Sequence, residues 1–340
     1  MKLDWVSGRV ELTHGGGGRA MARLVDELFK SAFSNPLLDA GNDQATFSVP
    51  AGRMVMTTDG YVIHPLFFPG GDIGSLAVHG TVNDVAMGGA RPLYLSAGFI
   101  LEEGFPLADL KRIVASMAAA SAEAGVPIVT GDTKVVERGK ADGVFITTAG
   151  VGVVYDGVEV SSDRARPGDV IIVSGTIGDH GVAILSVREG LEFDSEIRSD
   201  SMALHRLVET MVQVAPGLRV LRDPTRGGVA ATLNELAQAS AVGMELDEAA
   251  LPIRPQVRGA CELLGLDPLY VANEGKLLCI CPPEDADRLL AAMRAHPQGQ
   301  DAAIIGRVVV DDHRFVTMAT SFGGRRVVDW LAGEQLPRIC

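Results

Sequence analysis

Aromatic side chains are scarce in this chain: only 5% of its 340 residues are Phe, Trp or Tyr, with two Trp and four Tyr. With 47% hydrophobic residues, that leaves a core of small aliphatic side chains in a compact protein, not a fibrous or disordered one. Basic residues are also in deficit. Thirty Lys and Arg face 43 Asp and Glu, and the net charge of −13 repels nucleic acid and anionic membrane surfaces. The carboxylates are expected around cations instead. No apolar run approaches the ~18 residues of a membrane span, and Met1–Trp5 contain no apolar leader segment, so the expected location is the cytoplasm. Four cysteines, at 261, 279, 281 and 340, form no C-x-x-C pair and have no His at metal-ligand spacing, which argues against a zinc site or a disulfide framework. Cys279 and Cys281 alternate in a strand-like run, so they share one face as small core residues.

Glycine, by contrast, is abundant: 40 residues, as expected where turns are tight or backbone must approach a ligand. The length suits two domains. In the first half, His14-Gly15-Gly16-Gly17-Gly18 precedes a helix over 20–32 and is able to offer backbone N–H groups to phosphate. Asp43 and Asp59 are read as carboxylates where backbone turns away from a sheet, Asp59 closing a strand that begins at Arg53. A helix over 75–90 carries His79, Asn83 and Asp84 among small apolar residues. Such polar groups are costly to bury unless they meet a ligand or one another, and a ligand is the favoured reading. Strands over 92–101 and 144–155 flank a helix over 106–124 and a short strand over 126–130. That strand empties into Gly131-Asp132-Thr133-Lys134, a cation site beside an anion contact.

The second half places strands over 170–174, 276–281, 304–310 and 315–320, and helices ending near Arg188 and over 201–213, 229–239 and 283–295. Asp223-Pro224-Thr225-Arg226-Gly227-Gly228 is an anion-facing helix start with a carboxylate beside it. Glu274 stands at a strand entrance, either as a general base or as the salt-bridge partner of Lys276 or another Lys. The chain ends on Cys340. A terminal thiol that nothing needs to bury has a pKa of about 8.5 and is roughly 3% thiolate at neutral pH. The residues from Gly333 onward can span about 24 Å when extended, so the thiol is able to travel as a nucleophile or carrier, although the tail taken alone also reads as a frayed end that finishes in Cys.

These motifs, in order from His14 to the Pro337-Arg338-Ile339-Cys340 terminus, resemble the HypE family of hydrogenase-maturation carbamoyl dehydratases, within the aminoimidazole ribonucleotide synthetase (PurM-like) superfamily. The resemblance implies an α+β, PurM-like two-domain fold: an N-terminal segment (1–42), an N-terminal α+β domain (43–155) whose sheet forms a barrel across a homodimer, an α/β C-terminal domain (156–331), and a mobile tail (332–340). It implies metal contacts from Asp43, Asp84 and Asp223 to Mg²⁺. ATP is expected near His14, Gly15, Gly16, Gly17, Gly18, Asp59, Asn83, Asp132, Thr133, Arg226, Gly227 and Gly228. Lys134 and Glu274 are the implied proton-handling or phosphate-clamping pair. A carbamoyltransferase, HypF, would load Cys340 with a carboxamide, ATP-dependent dehydration would make a thiocyanate, and a HypC–HypD complex would receive the cyanide on iron. Thiamine-phosphate kinase, aminoimidazole ribonucleotide synthetase and selenophosphate synthetase share the carboxylate architecture, but none needs a terminal Cys. A non-catalytic cyanide carrier would need none of the Asp, Lys and Glu set.

Overall fold

The computed structural model describes residues 3–191, 197–331, 333 and 338–340. Residues 332 and 334–337, expected to tether the terminal thiol, lie outside the described residues. Two sheets organise the chain. The first contains β1 (Met54–Tyr61), β2 (Ala90–Glu102), β3 (Ile128–Val136) and β4 (Val144–Val154), in the order β1-β4-β2-β3. Only β2 and β3 run parallel. The second contains β5 (Val170–Val173), β6 (Val220–Arg222), β7 (Gly243–Asp247), β8 (Leu278–Cys281), β9 (Ala303–Val309), β10 (Val316–Ala319) and β11 (Arg325–Val327), in the order β11-β10-β7-β9-β5-β8-β6.

The expected α/β layout of the second domain is corrected by this pairing. Only the β7–β10 seam is parallel among the described residues, and the other seams are antiparallel. Helices are therefore interleaved with a mixed sheet, not with parallel crossovers. No helix of the described residues is long and apolar enough to cross a membrane.

Strand β1 sets the geometry of the site. Its residues alternate between faces, so Val55, Thr57, Asp59 and Tyr61 point one way and Met54, Met56, Thr58 and Gly60 the other. The expectation that Asp59 ends the strand fails: it lies inside β1, opposite Thr148 of β4. The Gly131–Lys134 run, expected to follow the end of a strand at 130, is likewise strand, because parallel pairing with Ser96–Glu102 of β2 carries β3 on to Val136. Through this register Asp132 and Lys134 fall on the Met56 face, and Asp59 and Thr133 on the opposite face.

Helix α1 (Ile73–Met87) lies against that second face and also touches α2 (Leu107–Ala124), β6 and the second domain. Asp72 caps it, accepting from the Gly74 and Ser75 amides. Partners on several sides explain a helix buried almost all round, from Ile73 through Leu76, Val78 and Val82 to Met87. The helix stops at Met87 instead of 90, where Gly88 and the positive-φ Gly89 turn the chain into β2. Cys279 and Cys281 are both buried in one apolar cluster with Leu207, Met211 and Leu289, as their alternation requires.

Candidate active site

Two clefts flank β1 and share Thr58. The smaller, ≈ 410 Å³, is lined by Asp59, Asp84, Asp223, Arg226, Glu274 and Cys340. Five separate stretches of chain supply these groups. Asp84 comes from α1 and accepts the Thr57 hydroxyl at 2.8 Å. Asp223 follows β6. Arg226 stands before the helix Gly228–Ser240, whose start lies flush on the 269–271 segment: a Cβ on Gly228, already at φ +61°, would sit 2.5 Å from the Leu269 carbonyl. Glu274 is positioned by its neighbours. Asn273, fully buried, donates to the Pro224 and Val271 carbonyls and accepts from the Gly178 amide. The Glu274 amide donates to Asp200 at 3.1 Å.

Crowded carboxylates raise one another's pKa. Burial, then Asp84, pushes Asp223 up to about 7. Burial also raises Asp84, opposed by the Thr57 hydrogen bond. Glu274 is held well above the usual carboxylate range by burial and then by Asp223, and its Oε1 has no partner among the described residues. Lys276 does not neutralise it, contrary to the salt-bridge alternative, because its ammonium is spent on Asp200 at 3.1 Å and on the Gly275 carbonyl.

Into this cleft comes the end of the chain. Just past β1, the Val62 and His64 amides donate to the Cys340 and Arg338 carbonyls, so the last three residues run antiparallel beside 62–64. The Arg338 guanidinium bonds the Val62 carbonyl and Asp142. Ile339 is 2% exposed within the first domain's core. Cys340 is thus not the free, ordinary thiol that a terminal position suggests. Burial first, and Glu274 second, push it up to about 12.

Other expected site residues lie elsewhere. The larger cleft, ≈ 840 Å³, is lined by Asp43, Asp132 and Thr133 together with Lys30 and Phe29. Asp43 is therefore not gathered with Asp84 and Asp223, and the described residues contain no cluster of three or more potential metal ligands. Lys134 is exposed and paired with Asp132 at 2.6 Å, on the sheet face opposite Asp59, so the expected Lys134–Glu274 pair is not assembled within one chain. The His14–Gly18 loop lines neither cleft. His14 is buried and accepts the Glu11 amide, and Gly15 packs where a Cβ would lie 2.7 Å from the Val135 nitrogen.

Asn83 is also accounted for without a ligand. Its amide donates to the Met202 and Glu274 carbonyls and accepts from the Leu204 amide, while His79 bonds the Ser201 hydroxyl. His79 and Asn83 of α1 thus meet the 201–204 segment, with Asn83 also reaching Glu274, which is how these two escape the cost of burial.

Residues 41–154 and 166–319 match the families described as AIR synthase related protein, N-terminal domain, and AIR synthase related protein, C-terminal domain. Carbamoyl dehydratase HypE of Azotobacter vinelandii is 70% identical over 339 residues, 100% of this chain and 99% of that protein. The chain belongs to the HypE family of carbamoyl dehydratases. A solved hydrogenase maturation protein HypE in complex with ATP superposes with a TM-score of 0.94 at 53% identity, covering 97% of this chain and 99% of that one. HypE in a HypE–HypF complex matches with a TM-score of 0.80 at 50% identity, covering 91% and 99% of the two chains. The two sheets are thus the two domains of a PurM-like fold with mixed α and β content. Sequence reasoning about the HypE motifs missed the receptor for the tail, formed by 62–64, His180 and Arg188. These residues form no motif and become a site only once the chain end is laid across them.

Proposed function

We propose that the chain dehydrates a carboxamide carried on its own Cys340 sulfur to a thiocyanate, at the expense of ATP, and passes the cyanide to iron during nickel–iron hydrogenase maturation. As a HypE-family member the chain is a carbamoyl dehydratase; the observation carrying the finer reading is the Cys340 thiol docked beside Glu274, Asp223, Asp84 and Asp59. An amide oxygen leaves poorly. Its phosphorylation by ATP releases ADP, and loss of both N–H protons with departure of phosphate leaves the carbon–nitrogen triple bond. Glu274 is our base: buried, short of a partner and raised in pKa, it holds a proton more strongly than a solvated carboxylate. Arg226 lines the same cleft and supplies positive charge for the phosphoryl group.

Mg²⁺ fits the half-buried Asp84 and Asp223, since it usually takes one or two carboxylates and completes its shell with water and phosphate. Bound there, it would screen phosphoryl charge and relieve the repulsion that now raises these groups. We assign Asp43 to the larger cleft, whose ≈ 840 Å³ is of nucleotide size, with Asp132 and Thr133.

The reading includes a homodimer. Met56, 74% exposed, with Met54 and Ile100, sets exposed apolar side chains on the outer face of the first sheet beside the Asp132–Lys134 pair, as expected where a second copy completes a barrel. Lys134 stands on that face, so any part it takes in the chemistry is across the contact. HypF is the loading partner and a HypC–HypD complex the acceptor, all in the cytoplasm. The tail must leave its dock for loading and return for dehydration.

Intact mass tests the reading. With carbamoyltransferase, carbamoyl phosphate and ATP, the terminal peptide gains about 43 Da and then loses about 18 Da on addition of Mg-ATP, and Cys340→Ala gains nothing. Glu274→Gln is expected to gain the first mass and stall at least 100-fold on the second, the usual scale for a lost general base. Undiminished ADP release in Glu274→Gln would remove it from that role.

A further inference from the structure

We propose that His180 is a positioning residue for the dehydration: it reads the backbone of the docked tail and sets the partition between a thiol open to loading and a thiol held in the cleft. The inference rests on the reading of Cys340 as the carrier. His180 lies in the first turn of α3 (Asp179–Arg188) and is completely buried. Its Nε2 stands 2.9 Å from the Ile339 carbonyl, and its Nδ1 2.8 Å from the Ser199 hydroxyl. A carbonyl only accepts, so Nε2 carries the proton and donates, while Nδ1 accepts from Ser199.

Nothing in that arrangement waits for the tail. Ser199 is tied by its amide to the Pro69 carbonyl, and its hydroxyl oxygen accepts the Ser201 amide. The imidazole packs at 87° to Phe68, with centroids 5.6 Å apart. Position, plane and tautomer are therefore fixed by the body of the protein, and the Nε2–H is a preformed donor aimed at one tail atom.

The atom it holds is decisive for the chemistry. The Ile339 carbonyl belongs to the peptide immediately before Cys340, and the Cys340 carbonyl oxygen is held by the Val62 amide at 3.2 Å. Backbone on both sides of the Cys340 Cα is thereby fixed, which leaves its side-chain torsion as the main freedom of the sulfur. Arg188, on the last turn of the same helix, also donates to the Arg338 carbonyl. One helix thus grips consecutive tail carbonyls, and His180 supplies the grip nearest the reacting sulfur. When the tail leaves, the buried Nε2–H loses its partner, a cost that biases the equilibrium towards docking by about 5- to 30-fold.

The signature is a pair of opposite changes. In His180→Leu, alkylation of Cys340 by iodoacetamide without nucleotide, and carboxamide loading by the carbamoyltransferase, should each speed up by about 5- to 30-fold. The loss of about 18 Da from preloaded chain should slow, because the docked sulfur is no longer held through the Ile339 carbonyl. His180→Gln, whose amide still offers a donor, should restore both towards wild type. A merely structural role lowers loading and dehydration together in both variants, and that result overturns the proposal, as does an unchanged alkylation rate in folded His180→Leu.

Should neither variant fold, the imidazole N–H is followed by NMR in the wild-type chain. Slow solvent exchange that accelerates on deleting residues 338–340 supports the proposal, and equal rates overturn it. Absence of any adduct on wild type would remove the carrier reading itself, while the alkylation and exchange measurements still report on the His180 contact.

Discussion

Cys340 illustrates how far a residue's chemistry depends on where the chain lays it. From sequence its thiol is ordinary; docked, it is pushed up to about 12 by burial and Glu274. The sign of the pH dependence follows from the difference. Docked thiol keeps its proton over the range in which released thiol, with a pKa of about 8.5, loses it, so docking weakens as pH rises above about 8.5. The midpoint of the Cys340 alkylation rate against pH, measured in chelator without nucleotide, is therefore expected above 8.5. A midpoint at the free-thiol value would mean that the tail is mostly released. The grouping of other residues was legible: Asp84, Asp223, Arg226 and Glu274, each singled out in the sequence, do meet in one cleft. Asn83 was not, since a buried amide bonded to Met202, Leu204 and Glu274 looks, from sequence, like one awaiting a ligand.

At the scale of elements, alternation and helical periodicity located the strands and helices that bury one clear face, such as β2 and α2. They failed where polar residues continue a strand, because Asp59 and Asp132 look like loop residues until pairing with Thr148 and Gly98 is known. Between elements, glycines mark the closest approaches. A Cβ on Gly275 would lie 1.8 Å from the Asp200 carbonyl oxygen and 2.9 Å from the Met202 side chain, in the contact that seats Glu274. Gly275→Ala is expected to cost about 1–3 kcal/mol by overpacking and to displace Glu274. Gly259→Ala, in the helix Pro255–Leu264 with nothing within 4 Å, should gain about 0.5–1 kcal/mol from helix propensity. Urea unfolding midpoints moving in opposite directions would bear this out, and two equal shifts would not.

For the whole molecule, two domains were legible from length and from the order of motifs, whereas the division of the site residues between two faces of one sheet was not. That division depends on register: a one-residue step in β3 separates Thr133 from Lys134 across the sheet. The homodimer reading makes a prediction at this scale. Met56→Lys puts a charge on the open face without touching the core, so the chain should stay folded and sediment as a monomer; a persistent dimer would place the contact elsewhere. The docked terminus also bears on how such a protein survives between turnovers. Peroxides attack thiolates, climbing from sulfenic to irreversible sulfinic and sulfonic acids. A thiol at about 12 is only on the order of one part in 10⁵ thiolate at pH 7, against roughly one part in 30 when released. Parked in the cleft with Glu274, the idle sulfur is chemically quiet, and on the carrier reading proposed above its exposure to oxidants would be confined to the intervals in which it leaves to be loaded.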